Sequence, residues 1–419
     1  MLNFKIKGGR TMEKAKSVGR LGLLGIQNLV LCFGATVLVP ILLGINIGIA
    51  LISAGVGTLI FHCCTKFKVP VFLGSSFAFL PALSSAIAAY GVNAAMGGVV
   101  IAGAVYLVFA FLIWKVGVGK ILSFFPPVVT GPIILLIGTI LIPSSITTIK
   151  TPIGNIDPNL NWLVMLITVA IAAFVMAKGK GLLKLIPILF AIPGGYVVAA
   201  LFGMVNVDTI KTAAWFGLPK IIWPTFNLGA ILTIAPIAVA TFVEHIGDIE
   251  AVDSIANQKF ASDPGLHRTI LGDGLATMFA GFIGGPPNTT YSEGTGGMAI
   301  TKNYDPRTFR IAACLAILLG FCGKFIALLQ TIPGPVMGGI SFLIFGSISC
   351  MGLKTLVTNK IDFSQSRNIV IVALMLGFGL VSSGGIVIGS LDISGVALAA
   401  IVGIVLNKVW PEKKPSTEI

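Results

Sequence analysis

The chain alternates between long apolar runs and short polar interruptions. Fourteen apolar stretches can be marked, at residues 20–43, 46–62, 71–88, 95–114, 126–147, 159–177, 185–203, 228–248, 269–284, 286–301, 309–330, 333–352, 368–384 and 391–407. Most approach the roughly 20 residues that a helix needs to cross the hydrocarbon of a bilayer, and several are shorter. The pattern predicts an all-α polytopic membrane protein with 14 transmembrane segments; a β-barrel would show short alternating segments instead. Two stretches are broken. Val69-Pro70-Val71-Phe72-Leu73-Gly74-Ser75-Ser76-Phe77-Ala78-Phe79 opens the third, and Pro286-Pro287-Asn288-Thr289-Thr290-Tyr291-Ser292-Glu293 opens the tenth. Both start with β-branched, Gly, Pro and hydroxyl residues, a poor helix beginning, and then turn helical. Each is expected to be an extended stretch followed by a half-helix whose N-terminus points at the protein centre. Such an end offers unpaired N–H groups and a positive partial charge to a polar ligand. The two extended stretches are expected to pair as short β-strands, which would satisfy their backbones.

A weak internal repeat organises the chain. Pro127-Val128-Val129-Thr130-Gly131-Pro132-Ile133-Ile134-Leu135-Leu136-Ile137-Gly138 is similar to Pro335-Val336-Met337-Gly338-Gly339-Ile340-Ser341-Phe342-Leu343-Ile344-Phe345-Gly346, half a chain length away. The copies start the fifth and twelfth stretches. An odd number of spans separates them, so they run in opposite directions. This predicts two inverted 7-span repeats, an architecture that places the substrate near the midplane where the halves meet. The competing reading is that both are ordinary Pro/Gly-rich helix starts. The broken third and tenth spans hold corresponding positions in the two repeats.

Composition agrees with a membrane location: 56% of residues are hydrophobic, only 10% are charged, and mean hydropathy is +1.00. Soluble domains carry about 25% charged residues. The basic, polar first 20 residues predict a start without a cleaved signal peptide. A net charge of +13 raises nucleic acid as a partner, but the distribution argues against it. With the termini inside, 24 of the 28 Lys and Arg residues fall in cytoplasmic segments; Lys150, Lys211 and Lys220 lie in outer loops and Lys324 within a span. The charge is an orientation signal, and both termini are expected in the cytoplasm of a cell (inner) membrane protein. Six cysteines fall in or beside spans and imply no disulfide framework.

The chemistry-bearing residues are acids where a bilayer would exclude them. A carboxylate at membrane depth is costly unless it faces a cavity or a partner. Glu244 and Asp248 are four apart and share one helix face. Two acids so placed in low dielectric cannot both ionise cheaply, so one is expected to hold a proton. Asp248 has a second reading, as a residue in water at the cytoplasmic helix end, followed by Glu250 and Asp253. Glu293 is expected near the start of a half-helix, where negative charge is favoured, as a ligand-binding group or a simple cap. Phe77 lies in the break of the third span, where a flat ring can stack on a planar ligand or merely pack. Gln27 and Asn28 put two amides in the first span, to bond a ligand or to join helices. Asp273 can relay a proton or cap a neighbour, and His245 reads as a packing or supporting residue. No metal set, cofactor motif or catalytic nucleophile is recognisable, so no enzyme activity is expected. The complement of two carboxylates, backbone amides and a stacking ring is a flat, neutral heterocycle with N–H donors and C=O acceptors; a lactam nucleobase fits.

These residues resemble the uracil permease branch of the nucleobase–cation symporter 2 family, the nucleobase–ascorbate transporters. The motifs are Phe33-Gly34-Ala35-Thr36-Val37-Leu38-Val39-Pro40, Leu73-Gly74-Ser75-Ser76-Phe77-Ala78-Phe79, Glu244-His245-Ile246-Gly247, Asp263-Pro264-Gly265-Leu266-His267-Arg268 and Pro287-Asn288-Thr289-Thr290-Tyr291-Ser292-Glu293. The resemblance runs from Gln27 to about Lys408. It implies a core domain at 20–115 and 228–331 (spans 1–4 and 8–11) and a gate domain at 116–227 and 332–408 (spans 5–7 and 12–14), between cytoplasmic tails at 1–19 and 409–419. It further implies short strands in spans 3 and 10 and a homodimer formed through the gate. The substrate-binding set would be Phe77, Glu244, Tyr291, Ser292 and Glu293, with Phe77 stacked on the base, the two glutamates taking its N–H groups and the Ser292 amide meeting a carbonyl. Protons would be carried among Glu244, Asp248 and Glu293, with Gln27, Asn28, His245, Asp273, Thr289 and Thr290 behind them. Two positions depart from the uracil pattern: Asp248, where a uracil member has His and purine-type relatives have Asp, and Ser292, where Gly stands. The expected activity is uracil:proton symport by alternating access. A xanthine or uric acid symporter, a sodium-coupled nucleobase transporter, an anion transporter of similar fold, a channel and a membrane enzyme stay open at this point.

Overall fold

The computed structural model describes residues 6–154, 156–381, 386–388 and 391–410, and is predominantly helical. The first half runs through α1 (Ile6–Leu43), α2 (Ile47–Cys64), β1 (Leu73–Ser75), α3 (Leu80–Tyr90), α4 (Val92–Val116), α5 (Val118–Leu122), α6 (Pro127–Lys150), α7 (Pro158–Lys178), α8 (Pro187–Leu201) and α9 (Asp208–Thr212). The second runs through α10 (Leu228–Ile234), α11 (Ile237–Ala256), α12 (Leu266–Ile283), β2 (Asn288–Thr290), α13 (Ser292–Thr301), α14 (Pro306–Gly320), α15 (Gly323–Gln330), α16 (Gly334–Thr358), α17 (Ser366–Val381), β3 (Ile386–Ile388), β4 (Leu391–Ile393) and α18 (Gly395–Val409). Among the described residues, seven helices are long and apolar enough to cross a membrane, and the apolar helices Phe77–Tyr90, Pro187–Leu201, Ser366–Val381 and Gly395–Val409 are shorter. Repeated spans of this length in one chain make it a multi-pass membrane protein.

Helix ends follow local chemistry. Asn227 accepts a hydrogen bond from the Ala230 N–H at the start of α10, and Asp305 accepts from the Arg307 N–H at the start of α14. Asn257, in the left-handed region at φ 51°, closes α11. Outside the spans, Lys68 donates to Asp263 at 2.5 Å and holds that carboxyl below the usual carboxylate range. A depressed acid of this kind contributes stability above its unfolded pKa and loses it as pH falls through the folded value, so the tie persists at neutral pH.

Small residues let helices approach closely, as in other membrane bundles. A Cβ on Gly138 would sit 2.4 Å from the Phe345 carbonyl oxygen, one on Gly352 would sit 2.3 Å from the Leu135 amide, and one on Gly338 would sit 2.8 Å from the Ser145 carbonyl. Contacts that descend α16 as they climb α6 make the pair antiparallel. These two helices carry the two copies of the sequence repeat.

Some expected spans are built differently. The stretch 309–330 is two helices, α14 and α15, because Phe321 and Cys322 leave the helix where residues 215–217 bond to them: the Gly217 N–H donates to the Phe321 carbonyl and the Gly323 N–H to the Trp215 carbonyl. The stretch 228–248 is α10 and α11, with the second continuing to Ala256. The stretch 391–407 does not begin as a helix. Leu391–Ile393 pairs antiparallel with Ile386–Ile388, and α18 starts only after Ser394 caps it through the Ala397 N–H. Alternation around Asp392 is a strand pattern that the apolar run concealed. Residues 382–384, the end of the expected thirteenth span, lie outside the described residues.

Candidate functional site

The site is built around β1 and β2. They pair antiparallel with Leu73 opposite Thr290, Gly74 opposite Thr289 and Ser75 opposite Asn288. The Ser76 N–H donates to the Pro287 carbonyl at 2.9 Å and the Tyr291 N–H to the Phe72 carbonyl at 3.2 Å, extending the match at both ends. Every residue of both strands is buried, so their backbone groups need partners, and the ladder supplies them. Neighbouring helices fix the pair in place. Thr58 of α2 accepts from the Leu73 N–H at 2.9 Å, Thr277 of α12 donates to the Asn288 carbonyl at 2.8 Å, and the Asn288 amide donates to the Ser53 carbonyl at 3.0 Å. Gly74 is required by packing: a Cβ there would lie 2.6 Å from the Tyr291 hydroxyl and Thr36 Oγ1.

Two helical N-termini follow the strands. Phe77–Phe79 form a 3₁₀ turn leading into α3, and α13 begins at Ser292 with Glu293 in its first turn. Tyr291, extended at φ −112°, precedes α13 and is anchored by its hydroxyl, which donates to the Ser75 carbonyl at 2.9 Å and accepts from Thr36 at 3.2 Å.

The acids converge here. Asp248 of α11 is buried and accepts two hydroxyl hydrogen bonds, from Thr290 and from Ser292, each at 2.7 Å. It therefore ties α11 to β2 and to the first residue of α13. Glu244, one turn earlier on α11, and Glu293 are surrounded by protein yet keep exposed surface. Glu244 lies within electrostatic reach of the carboxyls of Asp248, Glu293 and Asp273, and Glu293 within reach of Asp248. His245 Nδ1 lies 3.0 Å from Asp273 Oδ2, and both side chains are fully buried. The pair joins α11 to α12 behind the glutamates.

Glu293, Tyr291 and Phe77 line a cavity of about 130 Å³, whose remaining wall includes Cys32 of α1, Ile188 of α8 and Ile344 of α16. The Phe77 ring meets Phe345 edge-on at 6.3 Å between centroids. Glu244, Asp248 and Ser292 stand beside this space and are not among the residues that line it. Space bounded on one side by α1 and the residues that follow the two strands, and on the other by α8 and α16, is suited to a small ligand presented to an acid.

Among the supporting residues, Thr290 and Asp273 join the acid cluster, and Thr289 is buried with an unpartnered hydroxyl. Gln27 keeps an unpartnered amide nitrogen. Asn28 does not enter the site: its amide donates to Thr308 of α14 at 3.0 Å and joins two helices. Sequence reasoning missed Thr36 and Ser75 as anchors of Tyr291, although a hydroxyl residue inside each quoted motif marked them. It also missed Ile188 and Ile344, whose apolar type carries no signal in a chain this hydrophobic.

Fold and site together are those of a helical, multi-pass membrane protein with a broken-span centre. The transmembrane domain of a cyanobacterium bicarbonate transporter, BicA, superposes with a TM-score of 0.65 at 16% identity, covering 92% of this chain and 96% of that one. At that identity the likeness concerns the fold alone. The profile of the Permease family matches residues 19–388, and the chain belongs to that family. Its relatives include the "Probable uracil permease" of Haemophilus influenzae, 43% identical over 394 residues that span 94% of this chain and 95% of the relative. Another is the "Uracil permease" of Bacillus caldolyticus, 40% identical over 417 residues, 97% of this chain and 96% of the relative.

Proposed function

We propose that the chain is a secondary active importer of uracil, coupled to protons and working by alternating access. The observation that carries this reading is the pair of glutamates, Glu244 and Glu293, surrounded by protein yet keeping exposed surface beside a two-stranded break, with family relatives named for uracil. Uracil presents two N–H donors and two carbonyls on a flat ring. Glu244 and Glu293 accept from the N–H groups, the Ser292 amide at the start of α13 donates to a carbonyl, and Phe77 stacks on the ring. Carboxylate acceptors make strong hydrogen bonds where water is scarce. Asp248 holds the hydroxyls of Thr290 and Ser292, so a proton gained or lost in the acid cluster alters the groups that position the substrate-binding end of α13. That is a direct path from proton to substrate.

In this reading the fourteen spans form two inverted repeats with the third and tenth broken at β1 and β2. The core (20–115 and 228–331) moves against the gate (116–227 and 332–408), both termini face the cytoplasm, and gates of two copies associate. The antiparallel packing of α6 on α16 supports such symmetry. Asp248, the residue that purine-type relatives share, favours one second reading, a xanthine or uric acid symporter.

Isothermal titration of the purified protein with uracil tests the site. Glu244→Ala and Glu293→Ala should each weaken binding by roughly 10- to 150-fold, the worth of a hydrogen bond to a charged group. Wild-type affinity in either variant contradicts the pocket, and displacement of uracil by xanthine moves the protein to the second reading.

A further inference from the structure

A second cavity lies away from the acid cluster, between α9 and α15. It is a shallow groove of about 580 Å³, open to the surface along most of its extent. Its wall is almost wholly apolar, from Val207, Ile210, Trp215, Phe325, Leu328 and the stems of Lys211 and Lys324, whose ammonium groups sit at its edge.

The segment beside it places this groove relative to a bilayer. Residues 213–227 form no helix; their backbone is tied to neighbouring elements only at intervals, through Trp215 and Gly217 to the α14–α15 break, Ile222 to Ile283, and Trp223 and Thr225 to Asn93. The N–H groups between these ties, such as those of Leu218 and Ile221, have no partner among the described residues, and in hydrocarbon each would cost several kcal/mol. Yet the segment is apolar outside: Trp215 is 77% exposed, Leu218 84% and Trp223 68%. Side chains of this kind do not belong in open water either. Both conditions are met at the level of the lipid headgroups, where tryptophan collects. The groove therefore opens where a headgroup meets its acyl chains.

Charge selects which headgroup. Of the four basic residues that the sequence places away from the cytoplasmic segments, Lys211 and Lys324 line the groove and Lys220 lies between Trp215 and Trp223. The Lys324 ammonium donates to the Ile210 and Lys211 carbonyls at 2.6 and 2.7 Å, which clamps it at the α9 end and leaves its third N–H free of them. Among the described residues the Lys211 ammonium pairs only with Asp208, at 2.9 Å, and the two side chains are 70% and 73% exposed, a contact readily exchanged for a better anion. Asp208 is the one acid of α9.

We propose that this groove binds an anionic phospholipid, with its phosphate between Lys211 and Lys324 and one acyl chain along Trp215, Phe325 and Leu328. The inference rests only on bilayer embedding and is independent of the transport reading.

Native mass spectrometry of the purified full chain, supplied with equal phosphatidylglycerol and phosphatidylcholine of identical acyl chains, tests it. The wild-type protein should retain phosphatidylglycerol preferentially. Lys211→Gln should weaken that retention about fivefold, and Lys211→Gln with Lys324→Gln further, since each lysine near a lipid surface contributes on that order. Lys211 is exposed, so its replacement leaves folding intact even if the double variant fails to express. In bilayers, brominated phosphatidylglycerol should quench the emission lost in Trp215→Phe more than brominated phosphatidylcholine does. Equal retention of the two lipids, or unchanged preference in Lys211→Gln, overturns the proposal. So does a Trp215→Phe variant that loses a dimer and no lipid, which would assign the groove to a second copy of the chain.

Discussion

At the scale of single residues, the acids divide by what surrounds them. Glu244 and Glu293 expose surface inside the protein, whereas Asp248 spends both oxygens on Thr290 and Ser292. In the proposed reading the first pair meets the ligand, and Asp248 responds to its own charge state through two hydroxyls that can each reverse from donor to acceptor. Asp248→Asn should therefore change the pH profile of uptake while altering uracil affinity by less than about fivefold, the worth of one ordinary hydrogen bond. Uptake measured across a pH series checks this, and an unchanged profile would remove Asp248 from coupling. The acids were legible in the sequence because charge at membrane depth is rare. The fine division among them was not, since it depends on hydroxyls from β2 and α13 that only folding brings to α11. Asn28 shows the reverse: an amide in a span reads equally well as ligand or as glue, and its bond to Thr308 across the helix interface appears only on folding.

At the scale of elements, the β1–β2 pair was foreshadowed by composition, because Pro, Gly and hydroxyl residues make poor helix and the two stretches had to satisfy each other's backbone. The β3–β4 hairpin and the α14–α15 break were hidden in apolar runs, where hydropathy reports burial and is silent about hydrogen bonding. The α6–α16 contact depends on glycine more tightly than the sequence repeat suggested. Gly138→Val would force side-chain atoms against the Phe345 carbonyl and the Ser349 amide, whose nitrogen lies 2.5 Å from a Cβ at that position. Overpacking of this kind costs about 1–3 kcal/mol. A lower melting temperature of the purified variant is the expected outcome, and an unchanged one would mean that the two helices separate without cost.

At the scale of the whole molecule, a mostly helical, multi-pass membrane protein was legible before any coordinates, because a bilayer permits few architectures. The cavity walls were not, since α8 and α16 contribute ordinary isoleucines. In the proposed cycle, α1, β1, β2 and α13 carry the ligand, while α8 and α16 close the space from the other side, so transport is motion of one set against the other. Uptake of radiolabelled uracil into proteoliposomes under an imposed pH gradient tests this most directly. Saturable, gradient-driven accumulation that collapses with a protonophore and ignores a sodium gradient is the expected result. Uptake that continues unchanged without the proton gradient, or none in either gradient, would contradict proton-coupled uracil transport.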